Sequence, residues 1–357
     1  VSDTIPVTVL TGFLGSGKTT VLNHLLAQPE LGDTAVLINE FGAVGLDHLL
    51  VSHVAEDIVL LNSGCLCCTV RGDMVNAMRD LFLKRVKGEV PEFNRMVIET
   101  TGLADPAPII HTLMNDPLLS SRYRLDGIVS TVDAVNGAQT LDNHEEAVKQ
   151  AAMADRIILT KTDIADFTQV EVLHARLRQL NPGAPIIRAV DGIVDPDAIL
   201  DAGLFNDKDK IPDVFKWLNA EAYADLRRER DRKLGIGDDH AHHHHDVNRH
   251  DDRIQAFVFI RDEPVSWPAL AFALELLISQ RGENLLRIKG IVNAAESDKP
   301  LALHGVQHVF HPPATLPEWP GDDRRTRIVF ITRDLERRVV EEMLVNVLGL
   351  ADEKDAQ

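Results

Sequence analysis

Cysteine is scarce in this chain: 357 residues hold three, all within the run Cys65-Leu66-Cys67-Cys68. An odd number confined to one cluster fits no disulfide framework, so a reducing cytoplasm is the expected setting. Aromatic residues are also few, at 5%. No uninterrupted apolar stretch reaches the roughly 20 residues that cross a bilayer, so no membrane partner is expected. The first apolar run is broken by Gly12 and Gly15 and lacks a basic start, so it does not read as a secretory leader. Basic residues are outnumbered, 37 against 55 acidic ones, for a net charge of −18. That sign repels the phosphates of nucleic acid and of anionic membranes, and neither is expected as a partner. It is compatible with handling cations.

What is present starts with VTVLTGFLGSGKTT, residues 7–20. A short apolar strand runs into a glycine-rich turn and then a helix from Lys18. Gly12 through Thr19 fit G-x-x-x-x-G-K-[ST], the phosphate-binding loop. Glycines at 12, 15 and 17 let successive N–H groups point inward around a phosphate, and the helix start adds a positive end. Gly12, Gly15, Ser16, Gly17, Lys18, Thr19 and Thr20 are the expected nucleotide contacts. Lys18 reaches the outer phosphates, and the Thr19 hydroxyl is the expected magnesium ligand.

The length favours two domains. Further strands are read at 34–38, 58–62, 96–98, 127–132, 156–159 and 185–189, with helices at 72–87, from Pro106, at 145–153 and at 170–180. In 72–87 the helical spacing places Met74, Val75, Met78, Leu81, Phe82 and Val86 on one apolar face, the methionines as core filling. This alternation means an α/β domain, a mostly parallel sheet with helices on both faces. The motifs at 12, 39, 65, 99 and 160 all follow strand ends, where such sheets place ligands. Residues 1–217 form this domain; 218–253 are a charged, histidine-rich linker; 254–357 form a smaller α+β domain of order β-α-β-β-β-α, with strands at 254–260, 285–292, 301–310 and 327–331 and helices at 267–279 and 335–348.

Thr160-Lys161-Thr162-Asp163 after a strand resembles the [NT]-K-x-D element that selects guanine. The Asp163 carboxylate would accept from N1–H and the 2-amino group, and the Lys161 stem would lie along the base. The competing reading is an ordinary helix N-cap at Thr162 or Asp163. GTP is therefore expected over ATP, with a P-loop ATPase or kinase as the alternative. Glu99, at a strand end, suits an acidic residue that orients magnesium. Gly102 could donate its N–H to the γ-phosphate and report its loss. Leu103 follows it where small GTPases place a glutamine, so slow intrinsic hydrolysis is expected. Glu40 and Asp47 are the candidates for contacts to water or magnesium.

Three cysteines beside a nucleotide site are soft ligands for zinc, copper(I), cobalt or nickel. An extended segment puts Cys65 and Cys67 on one side, and Cys68 joins only if the chain turns. Three or fewer sulfurs leave a tetrahedral metal an open position, which suits transfer. His240 and His242, His243, His244 and His245 form an internal run whose imidazoles suit exchangeable metal binding. A metal buffer built on this run, with incidental GTP hydrolysis, is the rival to a delivery role.

Together these residues resemble the CobW/YjiA family of P-loop GTPases. The resemblance rests on Gly12–Thr19, Asn39-Glu40-Phe41-Gly42, Cys65-Leu66-Cys67-Cys68, Glu99-Thr100-Thr101-Gly102 and Thr160-Lys161-Thr162-Asp163, in that order, with Leu286–Gly290 and Gly305-Val306-Gln307 in the second domain. It implies GTP hydrolysis to GDP coupled to metal handling: zinc first, cobalt second, delivered from the cysteine motif to a client metalloprotein or apoenzyme. Ile38 and Ala43 stand where many relatives carry glutamate, so the cysteines and the histidine run carry the metal case. A homo-oligomer is compatible with this reading.

Overall fold

Eight residues from Ile5 to Gly12 form β1, and every one of them is buried. The computed structural model describes residues 4–39, 59–63, 70–200, 218, 253–310 and 313–349. The described residues separate into two compact units, those within 1–177 and 184–212, and those within 178–183 and 213–357.

The first unit is built on β1, β2 (Thr34–Asn39), β3 (Val59–Ser63), β4 (Arg95–Glu99), β5 (Tyr123–Asp133), β6 (Arg156–Thr160) and β7 (Ile186–Arg188). They form one seven-stranded sheet in the order β3-β2-β4-β1-β5-β6-β7. Every pairing is parallel. The helices are α1 (Lys18–Leu26), α2 (Val70–Lys87), α3 (Ala107–Asn115), α4 (Pro117–Arg122), α5 (Gly137–Asn143), α6 (Glu145–Met153), α7 (Phe167–Leu180) and α8 (Pro196–Ile199). Both sheet faces are covered, which the period-2 alternation of side chains makes visible. Val7, Val9 and Leu37 pack with Met74, Met78, Ile109 and Leu119 of α2, α3 and α4 on one face. Leu10, Val36 and Ile38 pack with Val21, Leu22, Leu25 and Ile199 of α1 and α8 on the other. Each such aliphatic side chain contributes about 1.5–3 kcal/mol when fully buried.

One expectation needs correction here, and one competing reading falls. Val86 does not belong to the buried stripe of α2; it is 66% exposed, in the last turn before Gly88 and its positive φ of 71°. Nor does a helix start at Thr162 or Asp163. Residues 161–165 form a turn closed by bonds from the Ile164 and Ala165 N–H groups to the Lys161 carbonyl. The cap sits later, at Asp166, whose carboxylate accepts from the Thr168 N–H at 2.8 Å.

The second unit holds β8 (Ile254–Arg261), α9 (Trp267–Arg281), β9 (Leu285–Val292), β10 (Leu301–Val306), β11 (Val309–Phe310), β12 (Ala314–Thr315), β13 (Thr326–Arg333) and α10 (Arg337–Leu348). Its antiparallel sheet runs β11-β10-β9-β13-β8, with β12 on β10. Phe257 and Phe330 stack 5.4 Å apart in a core closed by Leu270 and Leu274 of α9 and Val340 and Leu344 of α10. The expected single strand at 301–310 is a tight hairpin instead, with Val306 opposite Val309. Gln307 makes the turn at a φ of 50°. The two turning residues, Gln-His, carry none of the Asn-Gly or Asp-Gly chemistry that marks such a turn in sequence.

Candidate nucleotide site

The phosphate loop leaves the carboxyl end of β1 and enters α1 through Gly17, whose φ of 89° places it in the left-handed region that favours glycine. No side chain caps α1, and its first turn holds no acidic residue. The first N–H groups of the helix therefore lack the usual side-chain acceptor and form a positive dipole end of the kind that suits an anion. Lys18 is buried beside them. Its ammonium donates to the Gly12 carbonyl at 2.9 Å and to the Phe13 carbonyl at 3.2 Å, so the charge is held on the loop.

Three ties fix this loop to its neighbours. The Thr19 hydroxyl donates to Glu99 Oε1 at 2.9 Å. Ser16 and Thr131 share a hydroxyl–hydroxyl bond of 2.6 Å. Thr160 donates to the Ser16 carbonyl at 2.7 Å, so the 160–163 element is anchored to the loop. Gly102 presses on the same loop: a Cβ there would lie 2.6 Å from the Leu14 nitrogen and 2.7 Å from its Cα. Thr20 is exposed and meets Gly192 of the turn after β7, where a Cβ would come within 2.9 Å of the Thr20 carbonyl oxygen.

Lys161 has a positive φ of 56° and extends its ammonium to Asp133 Oδ2 at 2.7 Å. Burial pushes the Asp133 carboxyl up. Hydrogen bonds from the side chains of Lys161 and Asn136 and from the Val135 and Asn136 N–H groups outweigh it, leaving the group below the ordinary carboxylate value. Asp163 is exposed. Sequence reasoning passed over Asp133, Gln150 and the Asp191-Gly192 turn. Only the last carries a sequence signal, a D-G pair after a strand.

Glu40, Asp47, Cys65, Cys67, Cys68 and His240 with His242, His243, His244 and His245 lie outside the described residues. Among the described residues no group of three or more His, Cys, Asp or Glu side chains is arranged to hold a metal ion.

Residues 6–188 match the family model for the CobW/HypB/UreG nucleotide-binding domain. The chain belongs to the CobW/HypB/UreG family. Residues 254–348 match the cobalamin synthesis protein cobW C-terminal domain. The chain is similar to the zinc chaperone YjiA of Escherichia coli strain K12, at 33% identity over 92% of this chain and 93% of that one. It is similar to the zinc-regulated GTPase metalloprotein activator 1 of Schizosaccharomyces pombe, at 31% identity over 94% of this chain and 84% of that one. The crystal structure of the Zn(II)-bound YjiA GTPase from E. coli matches with a TM-score of 0.69 and 28% identity, covering 96% of this chain and 99% of that one. The phosphate loop, Glu99, Gly102 and the 160–163 element of this CobW-family chain therefore sit within the matched nucleotide-binding domain. No helix among the described residues is long and apolar enough to cross a membrane.

Proposed function

We propose that this chain is a GTP-hydrolysing metallochaperone that takes zinc on the Cys65-Leu66-Cys67-Cys68 segment and passes it to a client apoprotein in the cytoplasm. The observation that carries the nucleotide half is the uncapped, acid-free start of α1 beside the buried Lys18 ammonium. An anion completes that arrangement, and the Gly12–Thr20 loop is the cradle for the phosphates of GTP and GDP. Asp163 reads guanine, as a carboxylate on an exposed turn tied to the loop through Thr160.

Thr19 and Glu99 fit magnesium: both offer hard oxygen donors, already brought to 2.9 Å of each other. When bound, the ion supplies charge neutralisation at the β- and γ-phosphate oxygens. The chain's own groups do the rest. Lys18 turns its charge from the loop carbonyls to the phosphates, the α1 N–H groups hold them, and Gly102 senses the γ-phosphate through its backbone N–H. With Leu103 next to it, 51% exposed, the described loop supplies no side chain there to orient water, and intrinsic hydrolysis is slow.

The metal half rests on position and kinship. β3 ends at Ser63, in register with Asn39 of β2, so the segment carrying the cysteines departs from the same carboxyl edge as the phosphate loop. Relatives bear the names zinc chaperone and zinc-regulated GTPase metalloprotein activator. Zinc is the cargo, taken by two or three thiolates with an open position that a client can enter. Competition between GTP and ATP for the site, followed by zinc titration of the reduced protein with Cys65→Ser and Cys67→Ser, tests both halves. Guanine preference and loss of tight zinc binding are expected. Preference for ATP, or zinc binding that ignores the cysteines and follows the histidine run, contradicts the proposal.

A further inference from the structure

A fully buried glutamine of α6 holds the loop that follows β4. Gln150 is 0% exposed. Its Nε2 donates to the Gly102 carbonyl at 3.2 Å and to the Ala104 carbonyl at 2.9 Å. Carbonyl oxygens only accept, so the amide nitrogen is fixed toward the loop. Gln150 Oε1 is buried without a hydrogen-bond partner. The amide therefore bonds to this loop alone, and a loop that moved away would leave a buried polar group with nothing, which is costly.

The helix that carries Gln150 is a firm support. It packs on β1 and β5, and Ala147, Val148, Ala151, Ala152 and Met153 are buried along it. Two further contacts tie α6 to the nucleotide loops. Lys149, one position before Gln150, meets Asp105 Oδ2 at 3.2 Å. His144, at the N-cap, stacks on Phe13 of the phosphate loop with ring centroids 4.3 Å apart. The 101–105 loop is thus pinned at Gly102, Ala104 and Asp105 to the same helix that touches Phe13. Gly102 itself lies against the Leu14 backbone.

We infer that Gln150 is a positioning residue for γ-phosphate recognition: it holds the 101–105 loop against the phosphate loop, with Gly102 in place, before any nucleotide binds. Ordering a loop in advance lowers the cost of binding whatever that loop contacts. Only a nucleotide whose outer phosphate reaches Gly102 gains from it, so GTP benefits and GDP does not. This positioning role rests on the proposed role of Gly102 as the γ-phosphate sensor.

Gln150→Met, which keeps an unbranched side chain and removes both donated bonds, is the test in the full chain. Its affinity for a non-hydrolysable GTP analogue should fall by about fivefold or more, as the loss of one or two neutral hydrogen bonds predicts. Its affinity for GDP should stay within about twofold, because no bond to the phosphate loop is removed. Lys149→Ala breaks a partly exposed pair on the same loop and should shift the analogue-to-GDP ratio the same way by about twofold, the scale of a surface ion pair. It decides alone if Gln150→Met does not fold. Equal losses for both nucleotides, or lower stability in urea with an unchanged ratio, would make Gln150 a scaffold residue and overturn the positioning role. Gly102→Ala separates this from the reading beneath it. A ratio that changes in Gly102→Ala and not in Gln150→Met overturns the positioning role alone. A ratio unchanged in Gly102→Ala removes the sensor and the positioning role together, and wild type that binds no analogue overturns the nucleotide reading itself.

Discussion

The Thr19 hydroxyl donates to Glu99 Oε1 at 2.9 Å, joining the first turn of α1 to the last residue of β4 across 80 positions of sequence. The two oxygens proposed to hold magnesium are thereby set side by side before any cation arrives. Glu99→Gln and Thr19→Ala should each lower magnesium-dependent GTP hydrolysis by about 10²-fold, the cost of losing one preorganised electrostatic group. Thr19→Ser, which keeps the hydroxyl, should stay within a few fold. Steady-state phosphate release against magnesium concentration checks this. Unchanged rates in both variants would remove the pair from the site.

Gly102 and Leu14 are in backbone contact. An added Cβ would lie 2.6 Å from the Leu14 nitrogen and 2.7 Å from its Cα, backbone atoms that cannot turn away as a side-chain end can. Gly102→Ala should lower stability by about 1–3 kcal/mol, the usual cost of overpacking, and reduce affinity for a GTP analogue more than for GDP. Urea unfolding and two binding titrations separate these effects. Equal losses for both nucleotides would place Gly102 in the scaffold and deny it a sensing role.

The Asp133–Lys161 pair, at 2.7 Å, gives a pH dependence with a definite sign. The folded-state pKa of Asp133 lies below its ordinary value of 3.8. The pair's contribution is therefore fully present above that value and is lost as pH falls through the lower, folded one. Asp133→Asn should be less stable than wild type by about 1–3 kcal/mol at pH 7, and the gap should close below pH 3.8. Denaturant unfolding of both proteins at pH 7 and in acid measures it. A gap that persists unchanged in acid would assign the stabilisation to packing.

Much of this site is legible in the sequence because each part is a strand end followed by a short motif. The phosphate loop, Glu99 and Thr160-Lys161 are found that way, and buried parallel strands such as β1 and β6 read as plain apolar runs. The shorter elements are harder. α4 starts at an Asp116-Pro117 pair whose cap bonds, to the Leu118 and Leu119 N–H groups at 3.0 Å, make it a helix, but six residues give no periodicity to read. The hairpin at Gln307 lacks turn chemistry. Gln150 is invisible for a different reason. Its meaning comes from carbonyls 46 and 48 positions away, which only the packing of α6 against that loop brings together.

The central claim is that nucleotide state controls zinc on the cysteine segment. A ligand can shift an equilibrium only through differential affinity for its states. The direct measurement is zinc affinity of the reduced protein with magnesium and a non-hydrolysable GTP analogue, against the same protein with GDP. At least tenfold tighter zinc with the analogue is predicted, about 1.4 kcal/mol of coupling, abolished when Cys65 and Cys67 are changed to serine. Equal zinc affinity in the two nucleotide states would contradict gated delivery and leave a buffer with an idle GTPase.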